Sequence, residues 1–484
     1  MIFVKRYFLT KKLSINALLV RVDVLTQKVQ GIEKRVELVE EENTCLKKEN
    51  IHLKKDNDVL KEKLSKYENP KNSRNSSLPP SKDENWPLRT KSLREQTGKK
   101  PGGQPGHDGN TLKMTSTPDK IADHLPQYCS CCGSDIRDFP CEFIGERQVV
   151  DIPPVQPEYT AHRIYQTMCR CGHITKSDFP TGVNTPVSYG KNVESLIGYF
   201  HCRQYIPYDR MKEIFHDLFH LSLSEGGLHH ILSRLTAKAQ PVYELIRNKI
   251  ANSTVVGTDE TGVKINGKQH WYWTWQNRKL TFIAASENRG FKTIEENFSQ
   301  GFPQSVLVHD CWKSHFKVIA NTHQPCIAHL LRELNYLSER YNHLWSEKLK
   351  KVFLDAIKLK RRMQPGHYYQ PFQPRGDLEK KLDKLINTAI DPKMKELASF
   401  QKRMIRYKDY LFTFLHHLDV PPDNNGSERA IRNIKVKQKI SGQFRSMAGA
   451  KQFAVLRSIT DTAIKNGQNV LNALFVIANL KPTD

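Results

Sequence analysis

Three acids stand where chemistry on a phosphodiester would need them. Asp259 lies at the end of the β-branched run in STVVGTDETG, Asp310 ends the apolar run QSVLVHD, and Glu428 follows the turn VPPDNN as a helical stretch begins. Carboxylate oxygens are hard ligands suited to Mg²⁺ or Mn²⁺. Two such ions can stabilise both the attacking and the leaving oxygen of a displacement at phosphorus. Taken singly, an aspartate at a strand end is an ordinary turn residue, and Glu428 with Arg432 is an ordinary i, i+4 pair. The surroundings of Glu428 set it apart. Arg429, Arg432, Lys435, Lys437 and Lys439 follow it, and no acid occurs from Arg429 to Thr460. Arg429, Arg432, Lys435 and Lys437 are therefore expected to steady DNA phosphates beside a carboxylate-held cation.

A second chemical signature lies upstream. Cys129 and Cys132 precede Gly133, and Cys169 and Cys171 precede Gly172. Two close thiol pairs, each followed by glycine, have the form of two knuckles closing a tetrahedral structural Zn²⁺ site. The second pair is CxC, one residue short of the usual spacing, so Cys131, His124, His162 or His173 stands as an alternative ligand. RQVVDIPP and the run from Tyr159 to Met168 read as strands, giving a small β-rich zinc module. Cys45, Cys202, Cys311 and Cys326 read as packing residues.

The elements that must position these groups are legible in outline. STVVGTDETG, KQHWYWTWQN and LTFIAAS read as a three-stranded meander, with QSVLVHD as a fourth strand. Asp259 and Asp310 can converge if their strands are neighbours. Glu428 falls in the first turn of a helix that Asn425 or Ser427 could cap. Between residues 192 and 250 the apolar spacing is helical; short helices over 209–219 and 228–235, joined at Ser224, resemble a helix-turn-helix.

At the amino terminus Leu18, Leu25, Ile32, Val39, Leu46, Leu53 and Leu60 recur every seven residues. Val22, Val29, Val36, Asn43, Asn50, Asn57 and Leu64 follow them as the second seam of a heptad. β-Branched residues at one seam and mostly leucine at the other favour a parallel dimer, and the asparagines fix its register. Across such a dimer Lys28 meets Glu33, Arg35 meets Glu40, Glu42 meets Lys47, Glu49 meets Lys54 and Asp56 meets Lys61, all opposite in sign. A homodimer or higher oligomer is expected. A Pro, Gly, Ser and Lys-rich basic linker follows.

Charge and hydropathy narrow the class. Lysine and arginine number 75 against 51 acids, for a net charge of +24, which favours a polyanionic partner such as DNA. No apolar run approaches the ~18 residues that span a bilayer, and ten cysteines are too sparse for a disulfide scaffold. A soluble, unsecreted, cytoplasmic and DNA-associated protein is the expectation, with no membrane partner.

The ordered series of zipper, NSRNSSLPPSKD, GGQPGHDG, cysteine pairs, DETG, VLVHDCW, CIAHLLREL and NNGSERAIRN resembles the insertion sequence 66 family of DDE transposases, from about Leu13 to Asn479. The resemblance implies a multidomain α+β protein whose RNase H-like α/β core carries Asp259, Asp310 and Glu428 as its triad, with His329 near the site. It also implies a helical insertion within the 117 residues between Asp310 and Glu428. The expected order is a coiled coil over 13–68, a basic linker over 69–113, a zinc module over 114–180 and a helix-turn-helix-like segment over 187–250. The core then occupies 251–331 and 421–480, separated by the insertion over 332–420. Such an enzyme would cut the ends of its element, using Mg²⁺, and join the freed 3′ hydroxyl to target DNA, with accessory proteins as possible partners. CxC and QKISGQFRSMAGA depart from the family pattern. The rival expectation is a catalytically inactive dimeric DNA-binding regulator; it would not require three carboxylates in a basic setting.

Overall fold

The computed structural model describes residues 2–72, 75–76, 106, 112–180, 182–183 and 185–481. Most of the expected linker lies outside them. The chain divides into two compact units, one formed by 1–89, 331–354 and 381–405, the other by 90–330, 355–380 and 406–484.

In the first unit the heptad segment belongs to a single helix, α1 (Ile2–Glu68). It contains no proline and one glycine, so nothing interrupts the ladder. Both heptad seams are exposed from Leu18 to Leu64. The end of α1 meets Arg340, whose guanidinium is buried among Glu62, Ser65, Tyr336 and Glu396. This unit also takes parts of four further helices, α6 (Ile327–Tyr341), α7 (Leu344–Arg362), α8 (Gln373–Ile386) and α9 (Lys395–Arg406). Trp345 anchors two of them by donating its indole hydrogen to the Leu385 carbonyl at 2.8 Å.

The second unit begins with the cysteine-containing residues. Here the expected β-rich module is reduced to a hairpin of two three-residue strands, β1 (Gln166–Met168) and β2 (Ile174–Lys176), and one bridge between Tyr128 and Asp135. RQVVDIPP forms no strand. Its apolar side chains are exposed, Val149 at 94%, and without a layer to bury them a strand has nothing to hold it.

Three helices follow, α2 (Lys191–Cys202), α3 (Tyr208–Phe219) and α4 (Glu225–Ala251). Ser224 caps α4 by accepting a hydrogen bond from the Gly227 amide at 3.0 Å. The eight-residue helix expected at 228–235 is 27 residues long. Its apolar face, from Leu228 through Leu235 and Tyr243 to Ile250, is buried along the whole length in the same core as the sheet. Continuous burial of one face explains the extension past Leu235.

That sheet has five strands, β3 (Val255–Ile265), β4 (Lys268–Gln276), β5 (Thr281–Ser286), β6 (Phe302–His309) and β7 (Ala320–Pro325), in the order β5-β4-β3-β6-β7. The first three are the expected antiparallel meander. Asn266 and Gly267, both at positive φ (47° and 74°), make the tight β3–β4 turn, as an Asn-Gly pair between strands should. The chain then crosses through α5 (Phe291–Asn297), and β6 pairs parallel to β3 on its open side, with β7 parallel to β6. The short α10 (Thr413–His416) and three longer helices, α11 (Asn425–Ser441), α12 (Met447–Lys465) and α13 (Val470–Ala478), complete the unit. Tyr272, Trp273, Trp275 and Phe282 fill the core. Tyr272 donates to the Ala450 carbonyl and Ser458 accepts from the Ile283 amide, fixing α12 on the sheet. No helix among the described residues is long and apolar enough to cross a membrane.

Candidate active site

β3 and β6 are adjacent and parallel, with Gly257 paired to Val308. Two residues further along each chain stand Asp259 and Asp310, so the register brings them level. Asp259 does not end its strand as expected. β4 continues to pair with β3 beyond it, from Thr261 to Ile265, after β6 has stopped at His309. The aspartate thus sits mid-strand, at the point where the neighbouring strand gives way to a loop.

Glu428 arrives on α11, seated against β3 by short contacts. Asn424, the N-cap residue, donates its side-chain amide to the Thr258 carbonyl at 2.7 Å, and Ser427 donates to the Asn424 amide oxygen at 2.7 Å. Neither Asn425 nor Ser427 is the cap. Gly257 and Gly426 make the approach possible: a Cβ on either would meet Gln276 at 2.5 Å. The N-terminus of α6 is stitched to the same turn. The Ile327 amide donates to the Pro422 carbonyl at 2.9 Å, and Cys326 accepts from the Asn424 amide at 3.2 Å. This places His329 with its Nε2 3.7 Å from Glu428 Oε1.

The electrostatics of the acids differ. Burial pushes the Asp259 carboxyl well above its ordinary range, and Glu260, Asp310 and Glu428 push it further. Asp310 is also buried, but the hydrogen bond and charge of His315 outweigh burial and hold it well below the usual carboxylate range. Three carboxylates thus act on Asp259 in a largely buried place, an arrangement that a cation would relieve. All-oxygen donors suit a hard divalent ion. Ligand atoms within 4.8 Å of one another are found for His309, Asp310 and His315, a tighter grouping than that of the three triad acids. Both nitrogens of His309 are already engaged, with the Asp310 carbonyl and with His323.

The cations on α11 separate into two kinds. Arg429 and Arg432 are exposed. Lys435 donates to the Gly262 carbonyl. Lys437 is buried, its ammonium turned toward the Tyr205 and Ile206 carbonyls at 3.4 and 3.5 Å, and burial lowers its pKa to about 8. Lys437, expected beside DNA phosphates, thus occupies the helix face packed on the core rather than the exposed face that carries Arg429 and Arg432.

Each cysteine pair forms its own turn. Gly133 (φ 73°) donates to the Cys129 carbonyl at 2.9 Å, and Gly172 (φ 83°) to the Cys169 carbonyl at 2.8 Å. Ser134 hydrogen bonding lowers the Cys132 thiol to about 7, assisted by Cys129, and Cys171 lowers Cys169. No three of the four sulfurs lie within 4.8 Å of one another; the two pairs form two separate turns.

Residues 186–452, which span α2 to α4, the whole sheet and α11, match the Transposase IS66 family. The chain belongs to that family. Residues 18–113 match a family of unknown function, DUF6444, and no curated protein matches the chain. In this transposase the family match covers all three acids and His329. Two residues of the site went unnoticed in the sequence, Glu260 and His315. The available signals were DET, with two consecutive acids, and a histidine five residues after Asp310 in HDCWKSH.

Proposed function

We propose that this IS66-family transposase cleaves the DNA ends of an insertion sequence and transfers them to target DNA through Asp259, Asp310 and Glu428. The observation that carries the reading is the meeting of Asp259 on β3 with Asp310 after β6, where Asp310 and, from α11, Glu428 both act on the Asp259 carboxyl. A mixed sheet with one acid on its first strand and another directly after its fourth supports an RNase H-like core. Asp259 and Asp310 would hold Mg²⁺ or Mn²⁺ between them, and Glu428 would complete the site. When bound, such ions activate water and neutralise charge at the phosphate. The chain itself orients those ligands: Asn424 and Ser427 hold the α11 terminus against β3, and His329 flanks Glu428. Arg429 and Arg432, exposed one helical turn apart, would bind the flanking phosphates.

Two further features belong to this reading. The two cysteine half-sites would close on one structural Zn²⁺, with Cys129, Cys132, Cys169 and Cys171 as ligands; soft thiolates from two turns suit it. The exposed heptad seams of α1 would pair with a second copy of the chain, so that one dimer holds two DNA ends.

The test is cleavage of a labelled duplex carrying the element's own end, with Mg²⁺ or with EDTA. Wild-type protein should cut only with Mg²⁺, and Glu428→Gln should lose at least ~100-fold in rate while still binding the duplex. Binding by folded, zinc-loaded wild-type protein with no cleavage would instead favour a DNA-binding regulator.

A further inference from the structure

We propose that His315 and Glu260 are positioning residues that hold the Asp310 carboxylate in the orientation that receives the metal. The inference rests on the reading of Asp310 as a metal-holding acid.

The His315 side chain is fully buried, in the short turn His315–Lys317 that follows β6. Its Nδ1 donates to Asp310 Oδ1 at 3.0 Å, and its Nε2 lies 3.6 Å from Glu260 Oε2. Among the described residues, neither Nε2 nor Oε2 has a hydrogen-bond partner, and the two face each other at ion-pair distance. Glu260 is held in turn. Its side chain is 2% exposed, and Arg289 donates to its Oε1 at 2.9 Å while lying between the rings of Trp271 and Trp312. A linear series results, from Arg289 through Glu260 and His315 to Asp310.

Two features indicate orientation rather than bulk stability. First, the Trp312 amide also donates to Asp310 Oδ1, at 3.3 Å. Both anchoring bonds fall on one oxygen, leaving Oδ2 as the oxygen available to a cation. Second, a buried polar pair of this kind adds little stability over well-packed apolar side chains, whereas a fixed partner behind a metal ligand typically matters ~10–100-fold in metal affinity or activity. Asp259 needs no such support, because it is built into a strand paired on both sides up to Gly257. Asp310 lies just past the end of β6, where no ladder restrains it.

The experiment uses the full-length, zinc-loaded protein and Mn²⁺ as the probe. Mn²⁺ affinity is read by electron paramagnetic resonance and, separately, single-turnover cleavage is followed against Mn²⁺ concentration. Asp310→Asn should abolish measurable binding. His315→Ala should weaken it ~10–100-fold, and high Mn²⁺ should restore most of the cleavage rate, as a merely structural defect would not allow. His315→Asn, whose amide can take the place of Nδ1, should recover affinity to within ~5-fold of wild type, while Glu260→Gln should fall between the two. Wild-type affinity in His315→Ala, with binding lost in Asp310→Asn, would overturn the positioning role and leave the triad standing. A His315→Asn loss as deep as that of Asp310→Asn would overturn it too, making the imidazole itself a ligand. Unchanged binding and cleavage in Asp310→Asn would instead refute the triad. Should His315→Ala not fold, His315→Asn and His315→Gln decide: equal affinities overturn the proposal, because only asparagine keeps a donor at the Nδ1 position.

Discussion

Substituting Gly257→Ala should separate the third acid from the first without touching either. Gly257 lies buried in β3, two residues before Asp259, beneath the terminus of α11. A Cβ there would meet Gln276 Nε2 at 2.5 Å, Asn424 Oδ1 at 2.8 Å and Ser427 Oγ at 2.9 Å, where ordinary contact begins at 3.4 Å. Gln276 can swing away. Asn424 and Ser427 cannot without giving up the hydrogen bonds to the Thr258 carbonyl and to each other, worth about 1 kcal/mol apiece. The less costly response is for α11 to lift by roughly half an ångström, carrying Glu428 with it. Overpacking of this kind destabilises by about 1–3 kcal/mol, and displacing a positioned group by up to ~1 Å reduces rate by as much as ~100-fold. The assay pairs denaturant unfolding with single-turnover cleavage at saturating DNA. Expected are a modest loss of stability, a ~10–100-fold loss of rate and DNA affinity within ~3-fold of wild type. Gly226→Ala, whose Cβ would meet nothing closer than Ser224 Oγ at 3.9 Å in the first turn of α4, is the control and should cost nothing in rate. Wild-type cleavage in Gly257→Ala, with the expected destabilisation present, would refute the view that α11 must sit this close for Glu428 to act.

Thiol reactivity should follow environment. At pH 7.5 in metal-free protein, Cys132, lowered to about 7, should be alkylated first, while burial raises Cys202 and Cys326 to about 12 and should keep them unmodified in the native state. Its sign is fixed by the thiolate being the nucleophile: reactivity at Cys132 should rise through pH about 7. Prior addition of one equivalent of Zn²⁺ should suppress it, as mass spectrometry of the labelled peptides can check; labelling of Cys132 unaffected by Zn²⁺ would remove that cysteine from the ligand set. Arg457→Met should destabilise the fold by about 3–5 kcal/mol. That guanidinium is fully buried, donating to the Cys202 carbonyl at 2.7 Å and to Asp461, and its removal leaves Asp461 buried without its charge partner. Urea unfolding would measure the loss, and a change below ~1 kcal/mol would show that the site relaxes or admits water.

Local signals carried much of this protein. A seven-residue repeat and an uninterrupted run of helix formers specify α1, because helical periodicity is a property of near neighbours. The β-branched and aromatic runs around Trp271 to Trp275, divided by Asn-Gly and polar turns, specify a meander for the same reason. The acids were recognisable because their neighbours are unusual: a strand-like run before Asp259 and Asp310, and an acid-free basic stretch after Glu428.

What the sequence could not decide is which elements become neighbours. Nothing local says that β6 pairs with the open side of β3, and that pairing alone makes Asp259 level with Asp310. The face of α11 that turns inward is likewise set by its packing on β3 and β4, which is why Lys437 is buried while Arg429 and Arg432 remain outside. Around the cysteines RQVVDIPP did not form a strand and the run from Tyr159 formed one only over Gln166–Met168, since their apolar residues find no second layer to cover them. His315 and Glu260 meet across 55 residues of chain because a turn after one strand folds against the neighbouring strand. Periodicity records which side of an element is apolar; only the packed tertiary structure, where burial and hydrogen bonding are satisfied together, decides what that side meets.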